Sequence, residues 1–393
     1  MPGGRRPFAA PLAPRDRHEP HRAATPLELF FDLVAVLAIA AAGVGLHHSL
    51  AEGHAVEGVL GFLCAFFAIW WAWMNYTWFS SAYDNDDSLF RILTLVIMAG
   101  ALVLATGVPD FFGGPRLLPL GVSGYILMRI GMVLLWLRVA ASSPTQRSVA
   151  LRYALGIALV QVYWTLTLLA GPVAGALPFY PAFVVGVVLE LGVPVWAELH
   201  ETTPWHRHHI VERYGLMNMI VLGETLLAAV IATRAEIDAG AVRDELAVVA
   251  IAAVVTSFAM WWLYFTEDEQ LASDANARAF VWGYGHFLIF AAGAAVGAGF
   301  AVQVDVLTEH AHLTGVVADL AVAIPVAVYL LGLWLVRDRF CLAPAARPVL
   351  LVAAVLALLT PFLPHSLASL AVLTVATVIV RGELACRIAR GRA

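Results

Sequence analysis

There is no lysine in this chain of 393 residues: all 23 of its basic residues are arginine. Without a lysine amine no retinal-type Schiff base can form, so that class of chromophore protein is excluded. Cysteine is scarce as well. Cys64, Cys341 and Cys386 lie far apart and match no metal or redox spacing, so they read as small apolar fillers. Charge is low: 13% of residues are charged against 61% hydrophobic, with a mean hydropathy of +0.82. A soluble domain cannot hide that much apolar surface.

What the chain has instead is apolar runs of about 20 residues, the length needed to cross a bilayer as helix. About twelve such spans are predicted, roughly at 27–46, 58–79, 89–108, 117–138, 149–170, 179–198, 210–233, 245–266, 279–300, 314–336, 347–363 and 366–385. The expected fold is therefore all-α, a polytopic membrane helical bundle. No signal-peptide pattern is evident. Residues 1–24, rich in arginine and proline and without an apolar core, are expected to be a disordered cytoplasmic tail. With the N-terminus inside, nineteen arginines fall on the cytoplasmic side. Only Arg116, Arg234 and Arg243 fall outside, and Arg129 lies mid-span. That bias predicts an even number of spans and both termini in the cytoplasm.

The two halves echo one another. "AIWWAW" (68–73) matches "AMWWLY" (259–264), and Glu28 opening span 1 matches Glu212 opening span 7. "DNDDSLFR" before span 3 matches "SDANAR" before span 9, and "LLWLR" ending span 4 resembles "GLWLVR" ending span 10. Six spans per half is an even number, so the expectation is two parallel six-helix repeats, 25–200 and 201–393, related by an axis along the membrane normal.

Ionisable residues inside spans are rare and face the protein interior. Glu28 and Asp32 stand one turn apart in "TPLELFFDLVAVLAIA". Thr25, Pro26 and Glu28 make a good helix-start series, so Glu28 reads as a cap; Asp32 lies beyond the first turn and reads as a group of the interior. In span 7, Asn218 and Glu224 go deep, with Gly223 beside Glu224 for close helix approach, while Glu212 and Arg213 mark the entry. Arg129 needs a counter-charge, for which Asp32, Glu190 and Glu224 are all candidates. His286 is either a proton-carrying group or a packing histidine. In "YDNDDSLFR", Asp86 or Asp87 either caps span 3 or pairs with Arg91, or the acids attract cations to a mouth. The histidines of "ELHETTPWHRHHIVER" lack a metal-ligand pattern and read as interfacial. No metal and no cofactor is expected.

"LELFFDLVAVLAIA", "NDDSLFR", "HHIVERYGLMNMIVLGETLLA" and "WWLYF" resemble the bacterial low temperature requirement protein A family, from about residue 25 to 300. That resemblance implies a multi-span inner-membrane protein with a link to growth in the cold. Its motif positions fall here on Glu28, Phe31 and Asp32, on Asp87 and Arg91, and on Glu212, Arg213, Gly215, Gly223 and Glu224; Ala35 departs from the family's bulky residue. "FFDLVAVLAIA" is also similar to the F-S-D signature of a potassium-channel family built from six-span units, with Phe31 in place of the serine.

The expected function is transport of a small ion or solute, proton-linked in one version. Spans 1 and 7 would line the path at the repeat interface, with Asp32 and Glu224 handling the cation and Arg129 balancing their charge. A membrane-embedded enzyme or lipid-handling protein is the less favoured class, because no hydrolase or metalloprotease motif is present. A non-catalytic stress or cold-adaptation component is the third. The expected partners are the bilayer and a small ion or solute. No nucleic-acid partner is expected, and a homodimer is left open.

Overall fold

The computed structural model describes residues 8–20, 22–113, 119–174, 179–238, 244–266, 271, 276–311 and 313–390. Arg5, Arg6, Arg116, Arg243 and Arg392, most of the 273–278 loop and the side chain of Cys386 lie outside the described residues. The fold is all-α. In chain order the helices are α1 (Pro26–Ala51), α2 (Ala55–Tyr83), α3 (Ser88–Gly107), α4 (Pro119–Ser142), α5 (Arg147–Ala174) and α6 (Phe179–Ala197). They continue as α7 (Arg207–Asp238), α8 (Asp244–Phe265), α9 (Asn276–Leu307), α10 (Gly315–Leu333), α11 (Val349–Leu359) and α12 (Ser366–Arg390). α10 runs on through a π turn at Trp334–Asp338 to Cys341. Among the described residues, eleven helices are long and apolar enough to cross a membrane. The expected span at 347–363 is the shorter helix Val349–Phe362, because Pro348 precedes it and a 3₁₀ turn with Pro361 ends it.

The helices divide between two compact units. Unit 1 holds residues 1–42 and 64–213, and unit 2 holds 43–63 and 214–393. In unit 1, α3 packs on α4, α4 on α5 and α5 on α6. In unit 2, α9 packs on α10, α10 on α11 and α11 on α12, with α8 against both α9 and α12.

Lipid tails are as apolar as leucine side chains, so membrane helices associate through close packing rather than through exclusion of water. Both units show it. In unit 1 the α3–α4 contact is backbone to backbone. A Cβ on Gly100 would stand 2.8 Å from the Gly124 carbonyl, one on Gly124 would strike the Leu104 amide, and one on Gly107 the Gly121 amide. In unit 2 the small residues of "AAGAAVGAGFAV" make α9 the deepest helix. A Cβ on Gly297 would be 2.9 Å from Thr225 Cα, and one on Gly299 would strike the Ala321 carbonyl. Thr225 uses the close approach, donating its hydroxyl to the Gly293 carbonyl at 2.7 Å. Aromatic rings fill the wider part of unit 1: Trp136 stacks on Tyr153 at 4.1 Å and meets Phe79 edge-on at 4.8 Å.

One added methyl group in such a contact forces helices apart. Gly124→Ala should lower stability by about 1–3 kcal/mol, while Gly192→Ala, with open space where its Cβ would stand, should not. Thermal melts followed by tryptophan fluorescence in the same micelle check this. Equal melting points for the two variants would refute the close α3–α4 contact.

Candidate functional site

The start of α1 shows why Glu28 is where it is. Thr25 Oγ1 accepts from the Glu28 amide at 3.3 Å, and Glu28 Oε2 accepts from the Thr25 amide at 2.8 Å. This reciprocal capping box, with Pro26 as the first helical residue, satisfies two orphan amides. The cap also faces inward. Glu28 Oε1 accepts from Ser80 at 2.7 Å, and His209 Nε2 lies 3.3 Å from the carboxylate. Arg213 Nη1 stands 3.2 Å from it and Arg22 Nη2 3.5 Å.

One turn further along α1, Asp32 Oδ1 takes Arg213 Nη2 at 2.6 Å and the Trp73 indole at 2.7 Å. Glu28, Asp32, His209 and Arg213 are fully buried. One guanidinium therefore serves two carboxylates a turn apart on the same helix face. Together Arg213 and Arg22 balance the charge of Glu28 and Asp32. The satisfaction is incomplete: Asp32 Oδ2, Arg213 Nε and His209 Nδ1 are buried without a hydrogen-bond partner among the described residues.

Arg22 reaches this cluster on a strap. Residues 8–20 and 22–25 form no helix or strand before α1, yet they are tied to unit 1 at several points. The Ala10 amide donates to Asp87 Oδ2 at 2.7 Å and the Arg15 amide to the Ala82 carbonyl at 2.9 Å. His206 Nε2 donates to the Glu19 carbonyl at 2.8 Å, and Arg22 donates to the Ser80 carbonyl at 3.0 Å. The solvated tail expected from composition is thus a held segment over residues 8–25. A pocket of about 570 Å³ opens under it, lined by Arg15, Glu19, Arg22, Thr25 and the 84–87 turn.

In that turn the alternatives left open by sequence separate. Asp87 caps α3, accepting from the Phe90 amide at 2.8 Å, and pairs with Arg138 of α4. Asp86, with φ at 53°, pairs with Arg91 through two bonds of 2.7 and 2.8 Å.

A second buried cluster lies in the membrane part of unit 1. The counter-charge of Arg129 is Glu190, at 3.7 Å, and not Asp32 or Glu224. Arg129 donates to the Tyr125 hydroxyl, which donates to Glu190 Oε1 at 2.7 Å, and the Trp71 indole donates to Oε2 at 2.8 Å. Gln161 and Trp164 complete the shell at 3.2 and 3.3 Å.

In unit 2 the remaining candidates divide. Asn218 is bound to the Tyr329 hydroxyl at 3.1 Å. His286 is caged by Tyr214, Trp282 and Phe290. Its Nδ1 donates to the Trp282 carbonyl at 2.7 Å, so Nε2 is left to accept from Tyr264 at 3.0 Å. Both ring nitrogens of His286 are thus in use. Glu224 is half-buried and has no hydrogen bond or ion pair among the described residues. Among the described residues no atom lies within 4 Å of where a Cβ on Gly223 would stand, so they show no close helix approach there; at Gly215 a Cβ would stand 3.1 Å from the Phe265 ring. In unit 1, Phe31 stacks on Tyr76 at 4.1 Å, and Glu212 Oε1 accepts from the Ala24 amide at 3.4 Å. The loop histidine His206 is used at both nitrogens, by the Glu19 carbonyl and the His209 amide.

The motif residues of α1 and the α7 entry thus meet in one charged cluster. Residues 23–382 match the model of the bacterial low temperature requirement A protein. The chain belongs to the LtrA family. A relative 28% identical over 275 residues is an uncharacterized protein of Rhizobium meliloti (strain 1021); the match covers 67% of this chain and 65% of the relative's own length. No solved structure matches. The family match and the apolar helices make this LtrA-family chain a multi-pass integral membrane protein.

Sequence reasoning missed the donors around the carboxylates. Trp73, Thr77 and Ser80 share one face of α2 at spacings of four and three, a polar stripe on an apolar span that marks a buried acceptor. Arg22, Arg213, Arg337 and Arg381 read as loop cations from their places near span ends, but all four are buried.

Removing one partner of a buried pair strands the other. Arg129→Met should cost about 3–5 kcal/mol, and a paired Arg129→Met, Glu190→Met change should recover most of it. A double-mutant cycle on melting points reads this, and additive losses would refute the pairing. The Asp87 cap adds a pH signature. Burial opposes ionisation of its carboxyl, but hydrogen bonds from Arg138, the Phe90 and Ala10 amides and Asn85 outweigh it and hold it below the ordinary 3.8. A depressed carboxyl contributes stability that is present above its unfolded value and lost as pH falls through its folded value. Amide-exchange protection at Ala10 should therefore hold down to 3.8 and fail below it, whereas Asp87→Asn should lose protection already at neutral pH.

Proposed function

We propose that this LtrA-family protein transports a small ion or ion-coupled solute, with the Glu28–Arg213–Asp32 cluster as a charge-handling site. The observation that carries the reading is Asp32 Oδ2, a carboxylate oxygen buried at membrane depth without a donor among the described residues. Stranding a carboxylate oxygen in a span is costly, and intramembrane ionisable groups kept at such cost mark ion and proton paths. The chemistry available is an exchange. Protonating Asp32 frees Arg213 to turn wholly to Glu28, and deprotonation draws it back, so one guanidinium alternates between two acceptors a turn apart. The open pocket beside Arg22 and Thr25 gives the cluster an aqueous approach at its strap end.

Glu224 in unit 2 is the second ion-handling candidate, since it is half-buried in α7 and unpaired among the described residues. Glu190, Asn218 and His286 are weaker path candidates, because their polar side-chain atoms are bonded within their own clusters; Arg129, the neighbour of Glu190, keeps Nε and Nη1 without an acceptor among the described residues. The six-plus-six repeat is supported by the sequential pairing of α3 to α6 and of α9 to α12. The arginine distribution supports an inner-membrane protein with cytoplasmic termini.

A static scaffold is the second reading, favoured by the complete burial of both carboxylates. Flux in proteoliposomes under separate potassium, sodium and proton gradients distinguishes the two. Transport predicts a flux in wild type that Asp32→Asn abolishes and that Glu224→Gln reduces in protein that melting shows to be still folded, with the lower melting point expected for Asp32→Asn from the loss of a buried pair. A scaffold predicts no flux under any gradient from folded protein, and no effect of either variant on growth in the cold.

A further inference from the structure

In unit 2, where α10 ends, guanidinium groups outnumber their acceptors. The π turn at Trp334–Asp338 widens the backbone and turns both Arg337 and Asp338 inward. Arg337, 1% exposed, gives Nε to Asp338 at 2.7 Å and Nη1 to the carbonyls of Leu263 and Tyr264 at 2.8 and 2.9 Å. Its Nη2 has no acceptor. Asp338 is shared with Arg381 of α12, at 2.8 and 2.9 Å, so its one negative charge is divided between two guanidiniums.

Two more guanidiniums stand at the same end. Arg278, in the first turn of α9, donates Nη2 to the Val336 carbonyl at 2.7 Å, and its buried Nη1 has no acceptor among the described residues. The same holds of the buried Nε of Arg339. Both lie on the ring of Phe340, their guanidinium carbons 3.3 and 4.3 Å from its centre. Among the described residues, Asp338 is the one carboxylate within ion-pair distance of Arg278, Arg337 or Arg339. Like charges against one ring repel, and a buried N–H without an acceptor carries its full desolvation cost. An anion with several acceptor oxygens removes both penalties.

The position selects the anion. Arg278 begins one span and Arg337 and Arg339 end another, so the group lies at headgroup depth, with Phe340 exposed beside it. Guanidinium forks fit phosphate oxygens, and basic pockets between span ends suit phospholipid headgroups. We infer that this end of unit 2 binds the phosphate of an anionic phospholipid headgroup, with Arg278 and Arg339 as outer contacts and Arg337 Nη2 as the inner donor.

The test uses the full purified chain in neutral detergent. Native mass spectrometry counts retained lipid after addition of phosphatidylglycerol or of phosphatidylcholine with the same acyl chains, and melting points are taken in parallel. Wild type should retain phosphatidylglycerol roughly tenfold better than phosphatidylcholine. Arg278→Gln with Arg339→Gln should erase that preference, and the matching double lysine variant should keep most of it. Both positions are only partly buried, and the wild-type preference is measured independently of how the variants fold. Equal retention of the two lipids by wild type would overturn the inference. That result is expected if Glu267, Asp268, Glu269 or Asp274, in the connection before Arg278 and outside the described residues, already occupies the site. Inorganic phosphate alone giving the full melting shift would also overturn it, by making this a small-anion site.

Discussion

The structure of unit 1 depends on Arg213. A carboxylate cannot stay ionised in a span unless a cation reaches it, and on α1 two carboxylates share one helix face. Arg213, near the start of α7, meets Asp32 at 2.6 Å and Glu28 at 3.2 Å. That places the first turns of α7 against the first turns of α1. The other positions follow from what the two acids still need. Trp73 must turn its indole inward, Ser80 its hydroxyl, and the strap must deliver Arg22 to offset the second negative charge.

The Arg129–Glu190 cluster obeys the same rule with a different outcome. Glu190 receives donors from Tyr125, Trp71, Gln161 and Trp164, so both of its oxygens are used. Its cation is less well served, since Arg129 Nε and Nη1 have no acceptor among the described residues. Asp32 has two donors on one oxygen and none among the described residues on the other. The contrast between a carboxylate with both oxygens used and one with a free oxygen, within a single unit, is what favours Asp32 over Glu190 as a candidate working site. Depth in the membrane does not separate them, since both acids are fully buried.

Much of this was legible in the sequence, and the reasons differ by element. The all-α membrane class follows from hydropathy alone, and the capping of α1 by Glu28 follows from Thr25-Pro26-x-Glu28 because a cap is a local interaction. The partner of Arg129 was not readable, since Asp32, Glu190 and Glu224 are equally remote in sequence and only packing chooses among them. Arg213 and Arg337 read as loop cations because each stands near a span end, where helix boundaries are least certain and one turn decides between water and interior. The strap defeats composition outright. Its arginines and prolines suit solvated chain, but Arg15, Arg17 and Arg22 each find carbonyl or carboxylate acceptors in unit 1.

Tryptophan carries the last part of the argument. An indole has an apolar body with a single N–H donor, so it can satisfy a buried acceptor without bringing an acceptor of its own. Trp71 and Trp73, two residues apart on α2, point to different sides and supply Glu190 and Asp32 respectively. The "WWAW" run is thus where one helix serves two buried carboxylates. Replacing either ring by phenylalanine would keep most of the apolar volume and remove only the donor. At Glu190 the oxygen left behind still has Arg129 at 3.7 Å; at Asp32 only Arg213 would remain, already shared with Glu28. The same deletion therefore bears harder on the Asp32 cluster than on the Glu190 one, which is the asymmetry expected of a site kept near the limit of what its surroundings can stabilise.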